Sequence, residues 1–379
     1  MQVEQETYTG AMTSRPAGGA SRPGAVALLA VLASALCSPL ACADAAGDRP
    51  DFTGTYDTAT MTPLQRPKEY GDQLILTPEV AEAAARQRAA YMAERSRDSD
   101  PERDAPPAGG DGSTGASGNV GGYNTFWIDN GETAIRIDGE YRTSILTTPG
   151  NGRRPAMTPD GQKRAAARRA FYRENTGEAW WLELDGPGPY DGPESRTLSD
   201  RCLLGFGSTG GPPMLPTLYN NHKRIVQTPD HVMILVEMVH DARVIRMNSE
   251  HAPPEVRRWL GDSIGWWEGD TLVVDTTNFT DRPALSMATR DLHVVERFRR
   301  AADGTLIYSF FVEDPNVWTE PWGGEYPWPA SDDRVYEYAC HEGNYAMEGI
   351  LKGARILEAD KLAAEAGDAP DVGAGGSGN

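Results

Sequence analysis

Apolar and polar residues alternate along most of this chain in short runs bounded by turn signals, the pattern of half-buried β-strands. Residues 51–57, carrying Phe52-Thr53-Gly54-Thr55-Tyr56, read as a first strand. Further strands are predicted over 123–129, 133–137 and 143–146, separated by Asn130-Gly131 and Asp138-Gly139, both hairpin turn signals. A meander follows. Strands 224–227 and 232–237 flank Thr228-Pro229-Asp230-His231, 242–247 comes next, and 264–267 and 271–276 surround Glu268-Gly269-Asp270. Strands 292–298 and 305–312 pair around Asp303-Gly304, and 334–340 is the expected closing strand. Helical signals are fewer: 80–93 behind Pro78, a basic stretch at 159–172, and a short turn of helix at 254–259. Short strands without a strand-helix rhythm predict a mainly β fold with a few peripheral helices. An antiparallel up-and-down barrel removes exposed edges; a β-sandwich is the alternative.

Residues 96–122 nearly exclude apolar side chains and read as a disordered insertion in a single β-rich domain over 51–358, with a disordered tail at 359–379. The one continuous apolar run, Ala25 to Leu36, is too short to span a bilayer and is followed by Ala41-Cys42-Ala43. This is the pattern of a signal peptide over 1–43, with a start at Met12 giving the better basic flank. A periplasmic or secreted protein is expected, with a lipoprotein anchored at Cys37 or Cys42 as the alternative. Of the four Cys, Cys202 and Cys340 would remain after cleavage. In an oxidising compartment they form one disulfide; two buried thiols are the other reading.

Thirty-six Lys and Arg against fifty-five Asp and Glu give a formal charge of −19. That charge repels phosphate backbones, so no nucleic-acid partner is expected, and no membrane partner after signal cleavage. No H-E-x-x-H, C-x-x-C pair or G-x-S-x-G occurs, and no cofactor or metal is assigned. His240, His293 and His341 are the candidates for a metal site assembled from different strands. The Gly-rich run 205–211 lacks the Lys of a phosphate cradle and reads as a loop.

Candidate chemistry rests on polar residues in apolar strands. Alternation through 292–298 sets Glu296 on the face of Leu292, Val294 and Phe298, where burial raises a carboxyl pKa or an Arg pairs with it. His240 and Asp241 lie at a tight strand connection, and His341 and Glu342 follow Cys340. The expected catalytic groups are therefore His240, Glu296 and His341. Arg243, Arg297, Asp241, Glu342, Trp267 and Trp322 are expected to contact a small-molecule ligand, with residues 318–328 forming an aromatic loop over the pocket.

Phe52-x-Gly54-Thr55-Tyr56 resembles the opening strand of calycin barrels, the lipocalins and fatty-acid-binding proteins. A longer resemblance, over about 51–354, is to an uncharacterised family of secreted bacterial proteins; its segments include Asp200-Arg201-Cys202, His240-Asp241-Ala242-Arg243 and Tyr338-Ala339-Cys340-His341-Glu342. It implies no activity. The expected function is an exported, calycin-like barrel that binds a small apolar or aromatic molecule. A cofactor-independent lyase, isomerase or hydrolase and an envelope-associated structural protein are the alternatives.

Overall fold

A computed structural model describes residues 49–97, 102, 128–173 and 176–367. The expected signal peptide, most of the 96–122 insertion, residues 123–127 of an expected strand and the end of the tail lie outside them. In chain order the elements are β1 (Gly54–Asp57), β2 (Ile75–Leu76), α1 (Pro78–Arg95), β3 (Arg136–Ile137), β4 (Glu140–Arg142), β5 (Leu146–Thr148) and α2 (Pro159–Phe171). Then come β6 (His222–Gln227), β7 (His231–Val236), β8 (Ala242–Met247), β9 (Asp262–Glu268), β10 (Thr271–Thr277), β11 (His293–Arg300), β12 (Leu306–Glu313), β13 (Trp322–Trp328) and α3 (Tyr345–Ala366).

The fold is mainly β. A curled ten-stranded sheet runs in the order β1-β6-β7-β8-β9-β10-β11-β12-β13-β5, and β2-β4-β3 form a small second sheet. Tight turns set the hairpins: Asp138 and Gly139 both take positive φ, 51° and 86°, which the right-handed twist of the β3–β4 hairpin favours. At the far end of the sheet the chain leaving β13 meets β1. Asp57 N–H donates to Pro329 O at 3.0 Å and Ser331 N–H to Thr55 O at 2.9 Å, around a single bridge between Tyr56 and Ala330.

The up-and-down expectation breaks where β1 neighbours β6 and β13 neighbours β5, and again at β8 and β9, which run parallel. The connection 248–261 carries the chain back along the sheet, and polar contacts hold it there: Asn278 Nδ2 donates to Ala252 O at 2.8 Å, and His251 bridges Asp262 and Asp275. Residues 254–259, expected as helix, are turn and irregular chain within that crossover. The expected closing strand at 334–340 is irregular too, and β13 fills that role instead. Its Pro and two Gly disguise a period-two face of Trp322, Gly324, Tyr326 and Trp328. Gly324 packs so closely on Ile145 O that no Cβ fits. The tail expected from 359 is helical to Ala366, capped by Asn344 Oδ1 accepting from Met347 N–H and ending at left-handed Gly367.

Alternation sends Val294, Glu296 and Phe298 of β11, Leu306, Tyr308, Phe310 and Val312 of β12, and the β13 aromatics to one inner face, where every one is buried. Tyr308 and Trp328 lie 4.9 Å apart, and Phe298 meets Trp328 edge-on at 5.6 Å. Large side chains thus fill this part of the concave face, and burial of each aromatic contributes roughly 2–3 kcal/mol.

Candidate functional site

The inner face carries a buried polar network. Arg243 of β8 forks onto Glu296, Nη1 to Oε2 at 2.5 Å and Nη2 to Oε1 at 2.9 Å. Tyr308 Oη donates to Glu296 Oε1 at 2.7 Å and accepts from Met214 N–H at 2.8 Å, while Tyr326 Oη donates to Met214 O at 2.9 Å. Glu296 is 0 % exposed and its carboxylate is committed to Arg243 and Tyr308. This is the ion-pair reading of Glu296. Beside it on β6, Lys223 is pushed down to about 8 by burial and donates to Thr58 Oγ1.

Of the other expected catalytic groups, His240 lines a pocket of about 430 Å³ with Asp241 and Arg243, outside the enclosed Glu296 carboxylate. His240 is exposed in a strained turn with Val239, both at positive φ. His341 and Glu342 are exposed on the irregular segment after Cys340. An occluded Glu296 and two surface imidazoles do not form one constellation. Arg297 points outward and pairs with exposed Glu268 at 2.6 Å. Trp267 packs on Phe52, ring centroids 5.5 Å apart, and Trp322 is core. The expected aromatic cover over a pocket is therefore strand and core. Among the described residues, no group of three or more His, Cys, Asp or Glu is placed to hold a metal ion. His293 instead pairs with Asp275, which holds its imidazole above the usual range.

The sequence reading missed a pocket of about 590 Å³ between α2, residues 196–207 and residues 281–288. Its walls follow from local structure. Thr158 caps α2 by accepting from Gly161 N–H at 3.0 Å, and its hydroxyl donates to Asn316 O. A Cβ at Gly161 would stand 2.5 Å from Val317 O, so glycine lets the helix start dock on that segment. Arg164 of α2 then donates to Asp281 O at 2.7 Å and Ala288 O at 3.1 Å, pinning the segment that holds Met287 at φ 77°. A strained backbone beside a pocket is a functional pointer.

The third wall is the Gly-rich loop. The disulfide Cys202–Cys340 fixes its start. Asp241, 7 % exposed, accepts from Gly205 N–H at 3.2 Å and packs against Gly210, where a Cβ would come within 2.5 Å of its own. Burial pushes the Asp241 carboxyl up to about 6. This residue, expected to touch a ligand, holds the loop that lines the pocket.

Four arginines line the pocket, Arg164, Arg168, Arg196 and Arg282, with Asp281 the one acid among its lining residues. Arg282 donates to Glu194 O and Arg164 to carbonyls, and among the described residues no carboxylate pairs with either; Arg196 pairs with Asp200. Arg168 lies over the Tyr172 ring at 5.3 Å. Phe171, Leu198, Leu204 and Leu285 supply apolar wall. The basic pattern of 159–172 was the available signal; the partners at 196 and 282 are remote in sequence.

The disulfide is consistent with an oxidising compartment. No helix of the described residues is long and apolar enough to cross a membrane. Compared with protein families, curated proteins and solved structures, the chain matches none.

Proposed function

We propose that the protein is an exported binding protein for a small organic anion with an aromatic or apolar body, held in the arginine-lined pocket. The observation that carries this reading is the charge contrast. A chain of net charge −19 lines one pocket with four Arg against one Asp, beside apolar walls. Anion and apolar body are then recognised by different walls of one pocket. Export is supported by the signal-peptide pattern and the disulfide. The meeting of β1 with the chain after β13 supports reading the curled sheet as a barrel of calycin type, its concave side used for packing and its ligand bound outside it. Binding is favoured over acid-base catalysis because Glu296 is enclosed by Arg243 and Tyr308.

Titration calorimetry with 1-anilinonaphthalene-8-sulfonate, an aromatic anion, tests the site. Arg168→Gln and Arg282→Gln should each weaken binding by about tenfold, the value of a charge-assisted contact. Unchanged affinity in both variants would remove this pocket as the site.

A further inference from the structure

Buried guanidinium groups need partners, since an uncompensated buried charge costs several kcal/mol. Arg243 has Glu296, and Arg66 donates to Gly150 O at 2.8 Å. Arg154, on the segment between β5 and α2, differs. Its side chain is half-buried, with the guanidinium over the face of core residue Trp322, 4.8 Å from the ring centroid. Nε lacks a hydrogen-bond partner, as it does in Arg66 and Arg243, but here Nη1 and Nη2 make no hydrogen bond among the described residues either. Among the described residues no carboxylate pairs with it, and burial alone pushes its pKa below the usual range. The same side chain lines a pocket of about 440 Å³ with Leu64, Phe206, Leu215, Leu218 and Thr60. The cation is backed by an indole and lines a pocket whose walls combine these hydrophobes with hydroxyls such as those of Ser208 and Thr209.

We propose that this pocket is a second anion site, adjoining the first across Gly207, Leu285 and Ser286, in which Arg154 takes the carboxylate of a small organic acid while the apolar walls hold its body. A planar carboxylate matches the guanidinium fork, and Trp322 behind it fixes the plane of the fork. The site stands on Arg154 and its pocket, whatever the first pocket binds.

The test uses benzoate and its neutral analogue benzamide with the intact protein and two variants. Benzoate should bind at this site and raise the melting temperature, with benzamide at least about tenfold weaker. Arg154→Met should lose benzoate binding and Arg168→Gln should keep it. Without ligand, Arg154→Met should melt at or above the parent, because a half-buried charge with no counter-ion is replaced by an apolar chain of similar length. Equal binding of benzamide and benzoate would overturn the proposal, a comparison that needs no variant. So would benzoate binding that survives Arg154→Met, or binding lost in Arg168→Gln instead. A melting temperature several degrees lower in Arg154→Met would give the arginine a structural role and overturn it too.

Discussion

Glu296→Gln isolates the charge at the centre of the inner face. The substitution keeps the side-chain shape and an oxygen for Tyr308 but removes the counter-charge of Arg243. The two side chains are 3 % and 0 % exposed, so no water replaces it. Breaking a pair this deep costs about 3–5 kcal/mol, far more than the roughly 0–1 kcal/mol of an exposed pair such as Arg297 with Glu268. For a domain of this size that corresponds to a fall in melting temperature of about 5–10 °C. Urea unfolding followed by tryptophan fluorescence reads the free energy directly. The cycle is completed by Arg243→Met alone and with Glu296→Gln. Once the charge is gone, the double variant should recover most of the loss, because an apolar side chain replaces the stranded cation. A cost below about 1 kcal/mol for Glu296→Gln, or a double variant as unstable as the sum of the singles, would refute the view that a desolvated ion pair organises this face.

Other consequences follow from the pocket walls. The folded protein binds the Asp241 proton more tightly than the unfolded chain, so this group lowers stability as pH rises from 3.8 to about 6 and by a constant amount above. Asp241→Asn should therefore raise stability at pH 7.5 by up to about 3 kcal/mol and leave it nearly unchanged at pH 3.5; equal effects at both would contradict the assignment. Gly161→Ala pushes the start of α2 off Val317 O, which should cost about 1–3 kcal/mol and weaken binding of the aromatic sulfonate; unaltered stability by urea titration would exclude that contact. Replacing Cys202 and Cys340 by Ser opens a loop of 138 residues and should cost about 5 kcal/mol in the chain-entropy model; a loss below about 1 kcal/mol in unfolding titrations would show the crosslink to be dispensable.

Strand positions were legible where alternation and turn chemistry agreed, as at β10 and β12, and where a Pro opens a helix, as at Pro78 and Pro159. β13 was not, because Gly323, Gly324 and Pro327 weaken its strand pattern and its specification comes from neighbours, with Phe310 and Ile145 carbonyls close against the two glycines. The parallel β8–β9 pair was hidden for a similar reason: the crossover is held by side-chain bonds between residues remote in sequence, His251 with Asp275 and Asn278 with Ala252 O. Period-two reasoning placed Glu296 inside, and the structure chose Arg243 as its partner over Arg297, which faces solvent one position away. The arginine pocket was visible only in part, as a basic helix. Arg164, Arg168, Arg196 and Arg282 come from three separate segments, and only the fold brings them together.

The central claim is that the protein binds an organic anion through its charge as well as its apolar body. The most direct measurement compares 1-anilinonaphthalene-8-sulfonate with N-phenyl-1-naphthylamine, the same skeleton without the sulfonate, by fluorescence titration at low and high salt. The sulfonate should bind at least about tenfold more tightly, and its advantage should shrink as salt screens the arginines. Equal affinities that do not respond to salt would contradict the account.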